Sequence, residues 1–116
     1  MYVPVKGDIV ELDFNPSSGE EIRKRRPALV ISTKKYSELT DLAFVCPITH
    51  ADHNRLREMG FLIPVSNADV SGYINPMQCH TFDYRARHME IIGRASSVVL
   101  AQVIHVINEI VNAKEI

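Results

Sequence analysis

Four consecutive cations stand between two strand-like segments of a chain whose formal net charge is only -1: Arg23, Lys24, Arg25 and Arg26. Like charges side by side repel one another, and a polyanion is an obvious partner that would relieve this repulsion. A solvated basic loop has the same composition, so the run alone does not decide between the two. Arg26 differs from its neighbours because Pro27 and an apolar segment of strand length follow it directly.

Arginine and threonine at strand ends are suited to phosphate chemistry. RNA can be cleaved without a metal when a base removes the 2′-hydroxyl proton, an acid protonates the leaving 5′-oxygen and donors stabilise the charged phosphorane. The arginine fork meets two phosphate oxygens at once, and a hydroxyl can donate to another. Arg26 begins one predicted strand and Thr49 ends another, and strand ends hold side chains firmly. The sequence alone does not show that these two residues meet.

The elements that must position these residues are mostly strands. Residues 9–14 alternate apolar and acidic side chains, a pattern typical of a half-buried strand. The apolar run 27–33 predicts a central strand buried on both faces, and further strands are predicted over 42–48, 61–65, 72–74, 77–82 and 90–93. Residues 34–38 indicate a turn or short helix, and the polar segment 51–59 indicates an excursion from the sheet.

The last part of the chain has a different pattern. Residues 98–113 contain no Gly or Pro, and Ser96 or Ser97 is a suitable N-cap. Polar residues recur in a single narrow stripe, which predicts a helix packed on the sheet with most of its circumference covered; they are Gln102, His105, Glu109 and Asn112. Short strands followed by one helix predict an all-β barrel or a mainly β, α+β domain.

Composition narrows the class of protein. The length of 116 residues predicts one domain spanning 1–116, and the 46% hydrophobic content suffices for one small core. No apolar stretch approaches a membrane span, and we expect a cytoplasmic protein. Cys46 and Cys79 form no CxxC pair, so we expect buried free thiols and neither a metal nor another cofactor.

Several motifs, taken in order, resemble the MazF/PemK toxins. Residues 7–10 (GDIV), 13–19 (DFNPSSG) and 26–32 (RPALVIS) are similar to the opening of that family, and residues 46–49 (CPIT) are similar to its second signature. Gln78 lies in the place of the later glutamine segment, and residues 84–87 (YRAR) are similar to an aromatic-x-A-R tail. The resemblance covers nearly the whole chain in the right order and spacing.

This resemblance implies a fold, an activity and a set of partners. The fold is an SH3-like small β-barrel with a C-terminal helix (CcdB/MazF/PemK-like), usually a homodimer. The activity is metal-independent, sequence-specific cleavage of single-stranded mRNA to 2′,3′-cyclic phosphate and 5′-hydroxyl ends, which inhibits translation. The cognate antitoxin is short and acidic, with a disordered tail across the cationic loop, and DNA is contacted only through it.

The resemblance also implies roles for particular residues. The catalytic arginine and threonine of the family fall on Arg26 and Thr49, and its loop glutamate falls on Glu21, with Glu20 as an alternative. Met77 stands where many members carry an aspartate, which one branch of the family uses as general base, and a thioether cannot abstract a proton. The base is therefore elsewhere or the activity is weak. The candidates are Glu21 first, held ionised beside Arg26, and then His50 and His80.

The remaining candidates are RNA contacts: Arg23, Lys24, Arg25, His50, Gln78, His80, Arg85 and Arg87. The first three would steer the RNA backbone as a mobile arm. For Arg85 and Arg87, ion pairs with Asp83 or Glu90 explain the charges equally well. Met77 also leaves an alternative function open, a non-catalytic barrel that binds RNA, an antitoxin or gyrase.

Overall fold

The computed structural model describes residues 1–14, 25–50, 60–67 and 70–115. Within these ranges the strands are β1 (Asp8–Asp13), β2 (Arg25–Val30), β3 (Leu42–Thr49), β4 (Ile63–Ser66), β5 (Ser71–Ile74), β6 (His80–Asp83) and β7 (Glu90–Arg94). The helices are α1 (Lys34–Thr40) and α2 (Ser97–Asn112). The predicted excursion over 51–59 lies outside the described residues.

All the strand pairs are antiparallel, and the order across the sheet is β4-β5-β3-β2-β1-β7. Strand β3 joins two parts of the sheet, because its residues 42–45 pair with β6 and its residues 48–49 pair with β5. The sheet therefore curls into a half-barrel with the C-terminal helix beside it. The prediction of a mainly β barrel-like fold with one C-terminal helix is confirmed.

Side chains that alternate along β1 and β2 form a core on each side of the sheet. One core, here called the small core, contains Val10, Leu12, Ala28, Val30, Ala43, Val45, Tyr84 and Met89. The opposite core contains Ile9, Leu29, Ile31 and Cys46, and α2 packs against it through Val103. Strand β2 supplies both cores, so the prediction of a central strand buried on both faces is confirmed. Its bounds differ from the predicted 27–33 because Thr33 instead caps α1.

Both helices begin at a hydroxyl cap. The Thr33 hydroxyl accepts a hydrogen bond from the Tyr36 N–H at 3.2 Å, and the Ser96 hydroxyl accepts one from the Val99 N–H at 3.2 Å. Each cap satisfies one of the amide groups that have no partner inside the helix. Of the turn or short helix predicted over 34–38, the structure has the helix, and the cap predicted at Ser96 or Ser97 is confirmed at Ser96.

The prediction that α2 has most of its circumference covered is wrong. Val103 is the buried residue of this helix, whereas Val98, Ile110 and Val111 are 66%, 58% and 72% exposed. The strand that α2 chiefly contacts is β4, which has 4 residues against 16 in the helix. A 4-residue strand spans about 13 Å and a 16-residue helix about 24 Å, so the strand is too short to cover the helix. No helix among the described residues is long and apolar enough to cross a membrane.

Candidate active site

Arg26 and Thr49 come together through the pairing of β2 with β3. Ala28 pairs with Pro47 and Leu29 pairs with Cys46, and continuing this register by two residues sets Arg26 opposite Thr49. Both residues are exposed, and both line a cavity of about 320 Å³, here called the site cavity. The other lining residues are Phe14, Pro47, Ile48, Asn75, Gln78 and His80. Four residues predicted from the sequence, Arg26, Thr49, Gln78 and His80, thus share one cavity.

The site cavity lies where the small core reaches the surface. Phe14 continues the side of β1 that carries Val10 and Leu12, and Arg26 continues the side of β2 that carries Ala28. His80 of β6 pairs with Val45 of β3, which belongs to the same core. The alternation that buries apolar residues in mid-strand therefore presents polar residues to solvent at the strand ends.

His80 is held in place by two aromatic rings. Its imidazole stacks on Phe82 with ring centroids 5.3 Å apart and an angle of 5° between the planes. Phe14 meets both rings edge-on, at 5.2 Å from His80 and 5.0 Å from Phe82. Phe82 is therefore occupied by intramolecular ring contacts, and it restricts how His80 can turn.

Arg87 supports the site cavity from outside it. Its Nη1 donates hydrogen bonds to the Phe14 carbonyl at 2.6 Å and the Asp13 carbonyl at 3.2 Å. Its guanidinium also lies 4.5 Å from the centroid of the Phe82 ring, within cation–π range. Arg87 does not line the site cavity, and neither expected ion pair, with Asp83 or Glu90, is among its contacts to the described residues.

The prediction that Arg25 belongs to a mobile cationic loop is wrong. Arg25 is the first residue of β2, and its guanidinium lies 3.2 Å from Glu11, 3.1 Å from Asp13 and 3.2 Å from Glu90. Two carbonyls, of Glu11 at 3.0 Å and His88 at 2.7 Å, complete its contacts. Three carboxylates surrounding one fork of five N–H donors explain why Arg25 is fixed.

Two further cations and one histidine lie outside the site cavity. Arg85 is exposed, and its guanidinium lies 3.9 Å from Asp41, a distance typical of a loose surface pair. Its backbone N–H donates to the Asp83 carboxylate at 3.0 Å, but among the described residues its guanidinium forms no ion pair with Asp83 or Glu90. His50 follows Thr49 directly, but it lines two neighbouring cavities of about 450 and 310 Å³. Tyr73 lines the larger of these two cavities. Glu21, with its alternative Glu20, and Arg23 and Lys24 lie outside the described residues.

The site cavity has a distinctive charge pattern. Among the described residues that line it, Arg26 is a cation, His80 brings an imidazole and no residue is a carboxylate. Met77 does not line it; its N–H donates to the Asn75 side-chain oxygen at 3.0 Å. Sequence reasoning missed Asn75, although the Asn75-Pro76 pair is a turn signal that could have drawn attention to it. In the described part of the chain, no group of three or more His, Cys, Asp or Glu residues could hold a metal ion.

Both cysteines are free thiols, as predicted, but only Cys46 is buried, and Cys79 is partly exposed. Their sulfur atoms lie 3.6 Å apart, and the Cys79 thiol also donates to the Pro76 carbonyl at 3.3 Å. Burial raises the pKa of the Cys46 thiol far above its usual range and raises the pKa of Cys79 as well. Because both thiols stay protonated at neutral pH, neither is activated as a nucleophile.

Comparisons with known proteins agree with this geometry. A family model described as "PemK-like, MazF-like toxin of type II toxin-antitoxin system" matches residues 5–111. The chain is 34% identical over 99 residues to the endoribonuclease toxin ChpB of Escherichia coli K12, covering 84% of each chain. It is 40% identical over 48 residues to the endoribonuclease toxin MazF of the same organism, covering 41% of this chain and 43% of that protein.

A solved structure agrees over the whole chain. The crystal structure of MazE–MazF (Form-II) from Deinococcus radiodurans superposes with a TM-score of 0.84 and 32% sequence identity, covering 98% of this chain and 100% of that one. Fold and comparisons together define the class of the protein as a toxin of a type II toxin–antitoxin system. Within that class the chain belongs to the PemK-like, MazF-like family, which confirms the resemblance carried by its motifs.

Proposed function

We propose that this toxin cleaves single-stranded mRNA at the site cavity, without a metal, leaving 2′,3′-cyclic phosphate and 5′-hydroxyl ends and so inhibiting translation. The chain is an endoribonuclease toxin, because its family and both named relatives have that activity. The observation that carries the choice of site is the placement of Arg26 and Thr49 in one cavity whose described lining holds no carboxylate. Such a lining favours an anionic centre such as the scissile phosphate.

The lining residues suit distinct steps of this reaction. Arg26 stabilises the phosphorane and protonates the leaving 5′-oxygen, and the Thr49 hydroxyl donates to a phosphate oxygen. His80 serves as the base, because its imidazole nitrogens can accept a proton and aromatic contacts on two sides orient it in the site cavity. Glu21, the first candidate from the sequence, stays a prediction because it lies outside the described residues.

The surroundings of the site cavity suit the rest of the RNA. Gln78 lies in the cavity with an exposed amide that can bond to a base or a phosphate. His50 follows Thr49 directly and lines a neighbouring cavity. The RNA strand therefore continues from the site cavity into this second cavity. Arg23 and Lys24 attract the RNA backbone. Arg25, Arg85 and Arg87 are left out of these contacts, since the first and third are bound internally and Arg85 lies away from the cavity.

The partners follow from the same family. We propose an acidic antitoxin as the physiological inhibitor, supported by the MazE–MazF complex to which this chain is similar. We also propose a homodimer, supported by the exposed apolar residues Val98, Ile110 and Val111 on α2. The site of action is the cytoplasm, where the mRNA substrate is translated.

The test is cleavage of a long mRNA by the purified protein in EDTA. Wild type is expected to cut at defined sequences, and Arg26→Ala and Thr49→Ala are each expected to cut at least about 100-fold more slowly. Arg85→Ala is the matched control, because it removes an exposed cation outside the site cavity and should leave the rate unchanged. Intact RNA with wild type, under conditions in which another ribonuclease cuts it, would contradict the proposal.

The alternative function, a non-catalytic barrel, rests on Met77 and is separated by a growth assay. If the chain is a ribonuclease, induced expression arrests growth with loss of mRNA, and Arg26→Ala abolishes both effects. Growth arrest with a DNA-damage response and intact mRNA would point to gyrase instead.

A further inference from the structure

Asn75 is a buried residue of the site cavity whose side chain is only partly used by the fold. It directly follows β5 and is 6% exposed. Its N–H donates to the Pro47 carbonyl at 2.9 Å, and its carbonyl accepts from the Gln78 N–H at 3.3 Å. Its side-chain oxygen accepts from the Met77 N–H at 3.0 Å. The last bond fixes the orientation of the amide, because a backbone N–H requires the oxygen and not the nitrogen as its partner.

The amide nitrogen of Asn75, Nδ2, makes no hydrogen bond within the described part of the chain. Among the described residues, Ser37 Oγ is the one fully buried polar side-chain atom without a partner. Nδ2 is therefore not sealed inside the protein but reaches open space. Asn75 lines the site cavity, so this donor group belongs to a residue at the cavity wall.

The register of β5 with β3 sets Asn75 beside Thr49. Ile48 pairs with Ile74, so continuing the pairing by one residue places Asn75 opposite Pro47. Pro47 and Thr49 are two residues apart and point to the same side of β3. Asn75 after the end of β5, Thr49 of β3 and Arg26 of β2 consequently line one cavity.

We propose that Asn75 Nδ2 donates a hydrogen bond to a non-bridging oxygen of the scissile RNA phosphate held by Arg26 and Thr49. This inference rests on the proposed function. The donors converge where the described lining has no carboxylate to compete for them, so an anionic oxygen is the ligand that they favour. The bond strengthens as negative charge grows on the phosphorane, so Asn75 contributes most in the transition state. A phosphate contact carries no sequence information, so the contribution is equal at every cleavage sequence.

Two substitutions separate this role from a purely structural one. Asn75→Asp keeps an oxygen to accept from the Met77 N–H, but it replaces the donor by a negative charge facing the phosphate. Asn75→Ala removes both the turn acceptor and the donor without adding charge. If Asn75 contacts the phosphate, Asn75→Asp is the more damaging change. If Asn75 only holds the turn, Asn75→Ala is the more damaging.

The experiment measures single-turnover cleavage of a transcript at each cut site mapped with wild type. We expect the rate to fall about 100-fold or more in Asn75→Asp and about 10-fold in Asn75→Ala, by the same factor at every site. Asn67→Asp is the matched control: Asn67 Oδ1 likewise accepts from a backbone N–H, that of Val70 at 3.0 Å, but Asn67 does not line the site cavity. This control should cleave like wild type, and circular dichroism should show all three variants folded.

Several outcomes would overturn the inference. One is an Asn75→Asp variant that cleaves at the wild-type rate, and another is a larger loss of rate in Asn75→Ala than in Asn75→Asp. A third is a change of the preferred cleavage sequence, which would indicate a contact to a base. Faster cleavage by Asn75→Asp would show that the site lacks a base and does not need this donor. Failure of the proposed function is a separate result, because wild type itself would then leave the transcript intact.

Discussion

Arg87 Nη1 lies 2.6 Å from the carbonyl oxygen of Phe14, and this bond joins the turn after β6 to the end of β1. A backbone hydrogen bond joins the same two segments, because the Asp13 N–H donates to the Arg87 carbonyl at 2.9 Å. Phe14 lines the site cavity and touches His80, whereas Arg87 does not line it. Arg87 is therefore a positioning residue that acts through Phe14.

Arg87→Ala should lower cleavage without removing any group that faces the RNA. Loss of the two carbonyl contacts and the ring contact lets Phe14 and His80 shift, and a displacement of about 1 Å can cost roughly 100-fold in rate. Rates measured well below the unfolding temperature would separate this effect from unfolding. Arg87→Lys should restore part of the activity, since an ammonium reaches one carbonyl but lacks the fork. Unchanged cleavage by a folded Arg87→Ala variant would refute the positioning role.

Arg25→Ala should destabilise the fold more than it weakens RNA binding. Removing Arg25 takes a charged hydrogen-bond donor from Asp13, which is 4% exposed and keeps a contact of 2.9 Å to His88 Nδ1, and we expect a loss of about 1.5–3 kcal/mol in the free energy of unfolding. Urea denaturation measures this loss. Arg85→Ala removes an exposed cation of the same kind and should change stability by less than about 0.5 kcal/mol. Equal stability of these two variants would be inconsistent with the network seen around Arg25.

Alkaline pH should destabilise the protein through Cys46. Burial raises the pKa of the Cys46 thiol, so the folded state keeps a proton that the unfolded chain releases near pH 8.5. The contribution of the protonated Cys46 thiol to the free energy of unfolding is therefore complete below about pH 8.5 and declines as the pH rises above this value. Urea midpoints between about pH 7.5 and 9.5 should fall in wild type and fall less in Cys46→Val. An equal fall of the urea midpoint in wild type and in Cys46→Val would argue against Cys46 as the origin of the pH dependence. Tyr2→Phe is a useful control, because the pKa of Tyr2 is also raised.

The exposed apolar side of α2 should mediate self-association. Val111→Glu introduces a charge at a residue that is 72% exposed, so it should leave a monomer folded but disrupt a dimer interface. Sedimentation velocity is expected to give a dimer for wild type and a monomer for Val111→Glu. Leu39→Glu is the matched control, because Leu39 is 75% exposed on the other helix, α1. A monomeric wild type, or a dimer that survives Val111→Glu, would rule out this interface.

The sequence by itself determined the local features of the fold. Alternation identified β1, the continuous apolar run identified β2 as a central strand, and a serine cap identified the start of α2. These features depend on neighbours within a few positions along the chain, so a local pattern is sufficient to predict them. The order of the motifs likewise singled out Arg26 and Thr49 and predicted the family.

Only the tertiary structure decided which residues share the site. Arg25 and Arg26 are adjacent and chemically identical, yet one is enclosed by Glu11, Asp13 and Glu90 and the other opens into the cavity. His80 lies in that cavity and His50 does not, and Asn75 joins it from a turn. Successive side chains on a strand point to opposite sides, and the register between strands sets what each one meets. That register is fixed by contacts between distant segments, which no pattern along a single segment contains.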